Sequence, residues 1–127
     1  MPEIKLKQLQ YEVESWQRVL RLITEENIHL KSRLSEAIQD NFDKKRLIAV
    51  EEFQTNFLKA DGLIVLLRNE LAELETLLVR EMFEDRGMVT EITRKFKNIG
   101  TNISAAETDF IKMKSAFNNY LSQNVDV

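Results

Sequence analysis

The chain has no cysteine, one proline, three glycines and one histidine among its 127 residues. The absence of cysteine excludes disulfides, thiolate metal sites and a cysteine nucleophile, and it fits a reducing compartment. Because proline and glycine are scarce, there are few points at which a helix must stop, and residues that favour helices are plentiful. The composition therefore predicts an all-α protein.

Long apolar runs are also missing from the sequence. The longest unbroken run covers residues 63–67, far below the ~20 residues that a membrane helix needs. The N-terminal segment alternates charged and apolar residues and contains no apolar stretch of signal-peptide length. We therefore expect a cytoplasmic protein without a membrane span.

Charge of either sign is not in large excess, since the net charge is −3 and the isoelectric point lies near 5.3. An acidic chain has no overall attraction for phosphate backbones or anionic lipid. Two local basic clusters, at residues 44–46 and 94–97, keep nucleic-acid binding open as a weaker alternative. In the second cluster Phe96 occupies a predicted core position, so we do not expect it to stack on bases.

What the chain does contain is a seven-residue repeat of apolar side chains that runs in three separate frames. We call these three series the core seams; they comprise Leu6, Leu9, Val13, Trp16, Leu20, Ile23, Asn27, Leu30, Leu34 and Ala37, then Val50, Phe53, Phe57, Ala60, Ile64, Leu67, Leu71, Leu74 and Leu78, then Val89, Ile92, Phe96, Ile99, Ile103, Ala106, Phe110, Met113, Phe117 and Tyr120. Of these 29 positions, only Asn27 is polar. Chance would place roughly twelve apolar residues at them.

The three frames predict three helices, over about residues 3–39, 43–86 and 88–122, with a tail at 123–127. The first interruption coincides with residues 40–43, where aspartate and asparagine favour a turn. Arg86 followed by Gly87 is a common helix stop, because glycine takes the left-handed conformation without strain. One alternative is a continuous helix from Leu78 to Val89, whose eleven-residue spacing fits a stutter.

Two short turns force neighbouring helices to run antiparallel, so the sequence predicts a single-domain up-down-up bundle of three helices, each ~50 Å long. Six flanking residues should widen the core stripes; they are Val19, Ile38, Leu47, Leu63, Leu77 and Met82. We expect the aromatic rings to stack in layers across the bundle as core residues. Gly62 and Gly100 indicate either tolerated weak points or a close helix crossing.

The layout of three long antiparallel helices with Trp16 in the first is similar to a spectrin-type repeat, and the likeness covers the layout alone. Asn27, at a core position in the segment 27–31, resembles the polar core asparagine of a leucine zipper. That resemblance implies a register-setting role for Asn27 in a parallel pair, with Glu26 facing Lys31 of the second helix.

More apolar residues remain than the core uses. Tyr11 and Leu22 lie off the first seam, and Leu58, Val65 and Val79 share a further row on the second helix. Since monomeric bundles rarely expose such rows, we expect a partner surface, most simply for self-association as a homodimer. The predicted partner-binding residues are Leu63, Val65, Leu66 and Val79.

Reactive chemistry finds little support in the sequence. His29 and Glu26 form one Glu-x-x-His motif, where carboxylate-bridged dimetal bundles need two, so a metal-dependent oxidoreductase at a dimer seam is only an alternative. No nucleophilic triad or glycine-rich phosphate loop is present. The carboxylates of the second helix, Glu81 among them, are typical of a solvated face. A lipid or haem pocket would require small residues opposite the aromatic rings.

The sequence thus predicts a non-enzymatic helical-bundle scaffold, or protein-interaction module, without a cofactor. Its expected partners are a second copy of itself or another helical protein.

Overall fold

The computed structural model describes residues 3–40, 44–84 and 87–124, with side chains described for 5–39, 46–84 and 87–123. It contains three helices: α1 (Glu3–Asp40), α2 (Lys44–Glu84) and α3 (Val89–Asn124). Each helix packs against both others, so the predicted all-α three-helix bundle is confirmed. No helix within the described ranges carries an apolar stretch suited to crossing a bilayer. The boundaries of a single domain stay a prediction.

Contacts between named pairs show that the helices run up, down and up. The side chain of Gln17 donates to Glu75 at 2.7 Å and that of Lys31 to Asp61 at 2.6 Å, so α1 and α2 are antiparallel. The rings of Phe57 and Phe117 have centroids 5.2 Å apart, near the start of α2 and the end of α3. These helices are therefore antiparallel as well.

The core follows the predicted seams. None of the seam residues is exposed, and every fully buried apolar side chain in the described ranges belongs to a seam. The predicted aromatic layers are present: Phe53 lies 5.1 Å from Phe117 and 5.3 Å from Tyr120 between ring centroids, and Trp16 lies 4.7 Å from Phe96. The seven-residue repeat thus identifies the packed face of each helix.

The link between α2 and α3 contains the predicted stop residue Gly87, while Arg86 lies outside the described residues. Gly87 has a φ of 68°, the left-handed conformation that favours glycine. The alternative of one continuous helix is therefore wrong, since α2 ends at Glu84 and α3 begins at Val89. The other predicted interruption covers residues 40–43; Asp40 is the last residue of α1, and residues 41–43 lie outside the described residues.

Glu81 is a correction to the expected solvated face, because only 3% of it is exposed. It lies three residues after Leu78 and so continues the second seam into the core. Its Oε2 accepts a hydrogen bond from the backbone N–H of Met88 at 3.1 Å, while its buried Oε1 has no hydrogen-bond partner. The carboxylate thereby satisfies a free N–H group at the start of α3.

Two of the six flanking residues do not widen the core as predicted. Leu47 and Leu63 are exposed, whereas Val19, Ile38, Leu77 and Met82 pack against the buried cluster. A helix in a three-helix bundle has neighbours on one side only. Seven-residue spacing does not distinguish a flank that faces a neighbour from one that faces solvent.

Gly100 marks a close approach between α1 and α3. A Cβ atom placed there would lie 2.9 Å from Cζ2 of Trp16 and 3.0 Å from Cη2, closer than real contacts allow. The indole ring of Trp16 therefore lies directly on the backbone of α3. Gly62 has no such neighbour, since a Cβ atom there would meet nothing within 4 Å.

Candidate interaction surface

The exposed apolar residues are concentrated on α2. Among the described residues, eight of the twelve exposed large apolar side chains belong to this helix, and the other four are divided between α1 and α3. Helix α2 is correspondingly less amphipathic than either neighbour. An apolar face in addition to the core face is the usual reason for weak amphipathicity in a long helix.

Four of these eight residues form part of a continuous uncharged line along the solvent side of α2, which we call the α2 stripe. The stripe consists of Leu58, Gly62, Val65, Asn69, Ala72, Thr76, Val79 and Phe83. Every member is exposed, and Phe83 is 82% exposed. At 1.5 Å per residue the stripe extends for about 38 Å. Because exposed apolar patches on a solvated face often mark interaction sites, the stripe is a candidate interaction surface.

The four predicted partner-binding residues are all exposed, but they do not share one surface. Val65 and Val79 belong to the α2 stripe, and Leu66 borders it on the side facing α3. Leu63 instead lines a groove between α2 and α3. Two of the four residues therefore belong to the stripe, and Leu63 lies on a different surface of the same helix. That these residues bind a partner stays a prediction.

The stripe also contains residues that the sequence reasoning missed. Asn69, Ala72 and Thr76 are small or polar and give no apolar signal of their own. The detectable signal is negative: no charged residue occupies any of these positions in a chain that is 31% charged. Phe83 was detectable by its spacing, four residues after Val79.

The groove that Leu63 lines has a volume of about 380 Å³. Phe53 and Phe110 contribute aromatic rings, and Lys59 and Asp109 contribute charged groups. Three of its lining residues are alanines, at positions 60, 106 and 116. The groove thus has small residues beside aromatic rings, the combination that the sequence reasoning required for an apolar ligand and did not locate.

Asn27 lies fully buried between α1 and α2. Its Nδ2 donates to the backbone carbonyl of Phe57 at 3.0 Å and to Oδ1 of Asp61 at 2.6 Å. The other oxygen of Asp61 accepts from Lys31, and Oδ1 of Asn27 is buried without a hydrogen-bond partner. The amide therefore joins two helices of one chain, where the zipper resemblance implied a helix of a second copy. That it sets register stays a prediction.

Glu26 makes a different ion pair from the one that the zipper resemblance implied. Its carboxylate lies 2.5 Å from Nζ of Lys114 on α3. The hydrogen bond from Lys114 holds the pKa of Glu26 below its ordinary value against the opposing effect of desolvation, with help from the charges of Lys114 and His29. Glu26 is therefore engaged with a cation on its own bundle.

The metal alternative gains no supporting observation. The described residues include no group of three or more histidine, aspartate or glutamate side chains placed to hold a metal ion. His29 is exposed on α1, and Glu26 is paired with Lys114 as above.

In the part of the chain that the structure describes, the second basic cluster does not form an aromatic binding platform. Phe96 is half-buried against Trp16, as expected of a core residue. Lys95 lies 3.9 Å from Glu73 and 4.0 Å from Glu91, so this lysine has acidic neighbours on two helices. In the first cluster, only the side chain of Arg46 lies within the described residues.

No protein-family model, curated protein or solved structure matches the chain.

Proposed function

We propose that this protein is a non-enzymatic helical-bundle scaffold that acts by binding proteins through the exposed face of α2. A second copy of the same chain is the simplest partner, and another helical protein is the second. The observation that carries the proposal is the α2 stripe, an uncharged line on the side of the helix opposite the core.

The physical reason is the free energy of apolar burial. Each fully buried Leu, Val or Phe side chain stabilises an association by roughly 1.5–3 kcal/mol. The stripe contains four such residues, Leu58, Val65, Val79 and Phe83, with Leu66 beside it. Their combined burial is large enough to offset much of the entropy lost when two molecules associate.

A scaffold of this kind works by geometry. Helix α2 has 41 residues, which corresponds to a length of about 60 Å. A face that runs along such a rod fixes the relative position of whatever binds to it. The surface needs no reactive groups, because positioning is the function.

The test compares association in three forms of the protein: the natural sequence, Val65→Glu and Ile28→Glu. Val65 and Ile28 are both β-branched and both 55% exposed, but Ile28 lies on α1, away from the stripe. Sedimentation velocity should show association of the natural sequence and of Ile28→Glu, and a monomer for Val65→Glu. A further variant, Leu66→Glu, should also weaken association, because Leu66 borders the stripe. Circular dichroism should be helical in all forms.

Binding to a different protein is tested by capture from the native cell with the same three forms. A partner that is retained by the natural sequence and Ile28→Glu, and lost by Val65→Glu, supports the proposal. The proposed function is wrong if the natural sequence is monomeric and if every protein that it captures is also captured by Val65→Glu.

A further inference from the structure

The α2 stripe has the spacing of a coiled-coil seam. Its successive members are separated alternately by four and three residues from Leu58 to Phe83. In heptad terms the d positions are Leu58, Val65, Ala72 and Val79, and the a positions are Gly62, Asn69, Thr76 and Phe83. Helix α2 therefore carries two heptad frames: the core seam, and the stripe on the opposite side.

We propose that the stripes of two copies pair in parallel and in register, as a two-stranded coiled coil between two bundles. This inference rests on the proposed function, because it names the partner and the orientation for the same surface. It follows from the charges that flank the stripe and from the position of Asn69.

The two flanks of the stripe carry different charges. On the side facing α1, the g positions are Asp61, Arg68, Glu75 and Met82. On the side facing α3, the e positions are Lys59, Leu66, Glu73 and Arg80. The sides follow from contacts within the bundle, since Glu75 bonds to Gln17 of α1 and Glu73 lies near Lys95 of α3.

A parallel pair places each g residue opposite the e residue five positions further along the second copy. Arg68 then faces Glu73 of the second copy, and Glu75 faces Arg80 of the second copy. By symmetry each pair occurs twice, which gives four attractive pairs. The remaining pair of Asp61 with Leu66 joins a charge to an apolar residue, so no like charges meet.

An antiparallel pair is less favourable. With the two stripes fully overlapped, Leu58 lies opposite Phe83 of the second copy. The g positions then face g positions of the second copy, and the e positions face e positions. Arg68 then faces Glu75 of the second copy, but Lys59 faces Arg80 of the second copy. This arrangement has two attractive and two repulsive pairs, so charge complementarity selects the parallel orientation.

Asn69 favours the same orientation. In a parallel pair it faces Asn69 of the second copy, and the two amides can hydrogen-bond to each other. In the antiparallel pair it faces Ala72 of the second copy, which leaves a covered amide without a partner. An unpaired buried amide is costly, because its hydrogen bonds to water are lost without replacement.

Disulfide trapping distinguishes the orientations without interference, since the natural sequence has no cysteine. In the parallel pair, Val79→Cys places its two thiols side by side, within the 4.4–6.8 Å Cα separation that a disulfide requires. In the antiparallel pair they are seventeen residues apart, or about 26 Å. We expect oxidised Val79→Cys to form a covalent dimer, while Ile28→Cys stays uncrosslinked as a control for random collision.

Charge exchange provides an independent readout by sedimentation equilibrium. Arg68→Glu should raise the dissociation constant on the order of tenfold, because two attractive pairs become repulsive. Adding Glu73→Arg should restore the natural affinity if the pair is parallel. Adding Glu75→Arg should restore it only if the pair is antiparallel.

The outcomes separate this inference from the proposed function. If the natural sequence associates and Val65→Glu does not, the α2 stripe is an interface whatever its orientation. Failure of Val79→Cys to crosslink, together with crosslinking between Gly62→Cys and Val79→Cys when they are mixed, would overturn the parallel arrangement alone. A monomeric natural sequence would overturn both the inference and self-association.

Discussion

Two glycines in α-helices have opposite environments in this bundle. Gly62 is exposed with open space around its Cα, whereas Gly100 lies under the ring of Trp16. Helix propensity alone favours alanine over glycine by about 1 kcal/mol at each position. The difference between the two sites therefore comes from packing.

We expect Gly62→Ala to raise the free energy of unfolding by about 0.5–1 kcal/mol, and Gly100→Ala to lower it. The added methyl group at position 100 must displace the indole ring, which is held by Phe96. Urea denaturation at low protein concentration measures both changes. Trp16 is the only tryptophan, so its fluorescence should shift in Gly100→Ala and not in Gly62→Ala. Equal stabilisation of both variants would show that the close approach is absent.

The contact between Asn27 and Asp61 can be tested by replacing the Asn27 amide with a carboxylate of the same shape. In Asn27→Asp the donor that faces Asp61 at 2.6 Å becomes a second carboxylate in a buried site. We expect a loss of about 3–5 kcal/mol at neutral pH, because an uncompensated charge is left in the core. The neighbouring charge and burial raise the pKa of the introduced carboxyl group. Its folded-state pKa then exceeds the unfolded value, so stability should recover as the pH falls.

The control for this experiment is Asn119→Asp, since Asn119 is exposed near the end of α3. Thermal unfolding of both variants at several pH values makes the comparison. A loss in Asn27→Asp that did not change with pH would contradict the role assigned to the Asn27–Asp61 contact.

For Glu26 we predict that the pH dependence of stability has the opposite sign. The hydrogen bond from Lys114 lowers the folded-state pKa of Glu26 from its ordinary value of 4.5. The stability it contributes is therefore present above that pH, and it is lost as the pH falls through the lowered value. In Glu26→Gln we expect a small loss at neutral pH and convergence with the natural sequence in acid. High salt should also reduce the difference, because the pair is partly exposed to solvent.

At the scale of the helices, seven-residue spacing explains why so much of the fold was predictable. A helix that repeats apolar residues every three and four positions presents one face, and burial of that face determines how it packs. Glu81 was assigned to the solvated face because it is charged, although its position three residues after Leu78 continues the core seam. Hydrogen bonding to the start of α3 is a tertiary property that no local pattern contains.

Glu81 joins the end of α2 to the start of α3. In Glu81→Ala, the N–H of Met88 loses its acceptor and a cavity remains, so we expect a loss of about 1–3 kcal/mol. Glu81→Gln retains an acceptor oxygen and most of the side-chain volume, and it should lose less. Chemical denaturation of the two variants provides the measurement. Identical stabilities for the two variants would contradict the bridging role.

The candidate surface was less predictable than the core. Val65 and Val79 were detectable because apolar residues on a solvated face are conspicuous. That Leu63 lines the groove and not the stripe was not predictable, since the sequence does not show which flank of α2 borders α3. The remaining members of the α2 stripe are defined by the absence of a charged residue at every stripe position from Leu58 to Phe83. Such an absence becomes meaningful only when the solvent face is known.

At the scale of the whole molecule, the proposed parallel pairing produces a rod whose two ends are different. The two α2 helices would begin at the same end, so the ends of both α3 helices would also lie there. A scaffold built in this way presents two copies of one end surface at a fixed separation. An antiparallel pair would instead place one copy of this surface at each end of the rod.

The central claim is that the uncharged face of α2 is an interface. Sedimentation equilibrium of the natural sequence over a wide concentration range tests it most directly. The account predicts that the weight-average mass rises from the 14.9 kDa of one chain towards twice that value, and that Val65→Glu abolishes the rise. A mass that stays at that of a single chain at every concentration would contradict the predicted self-association.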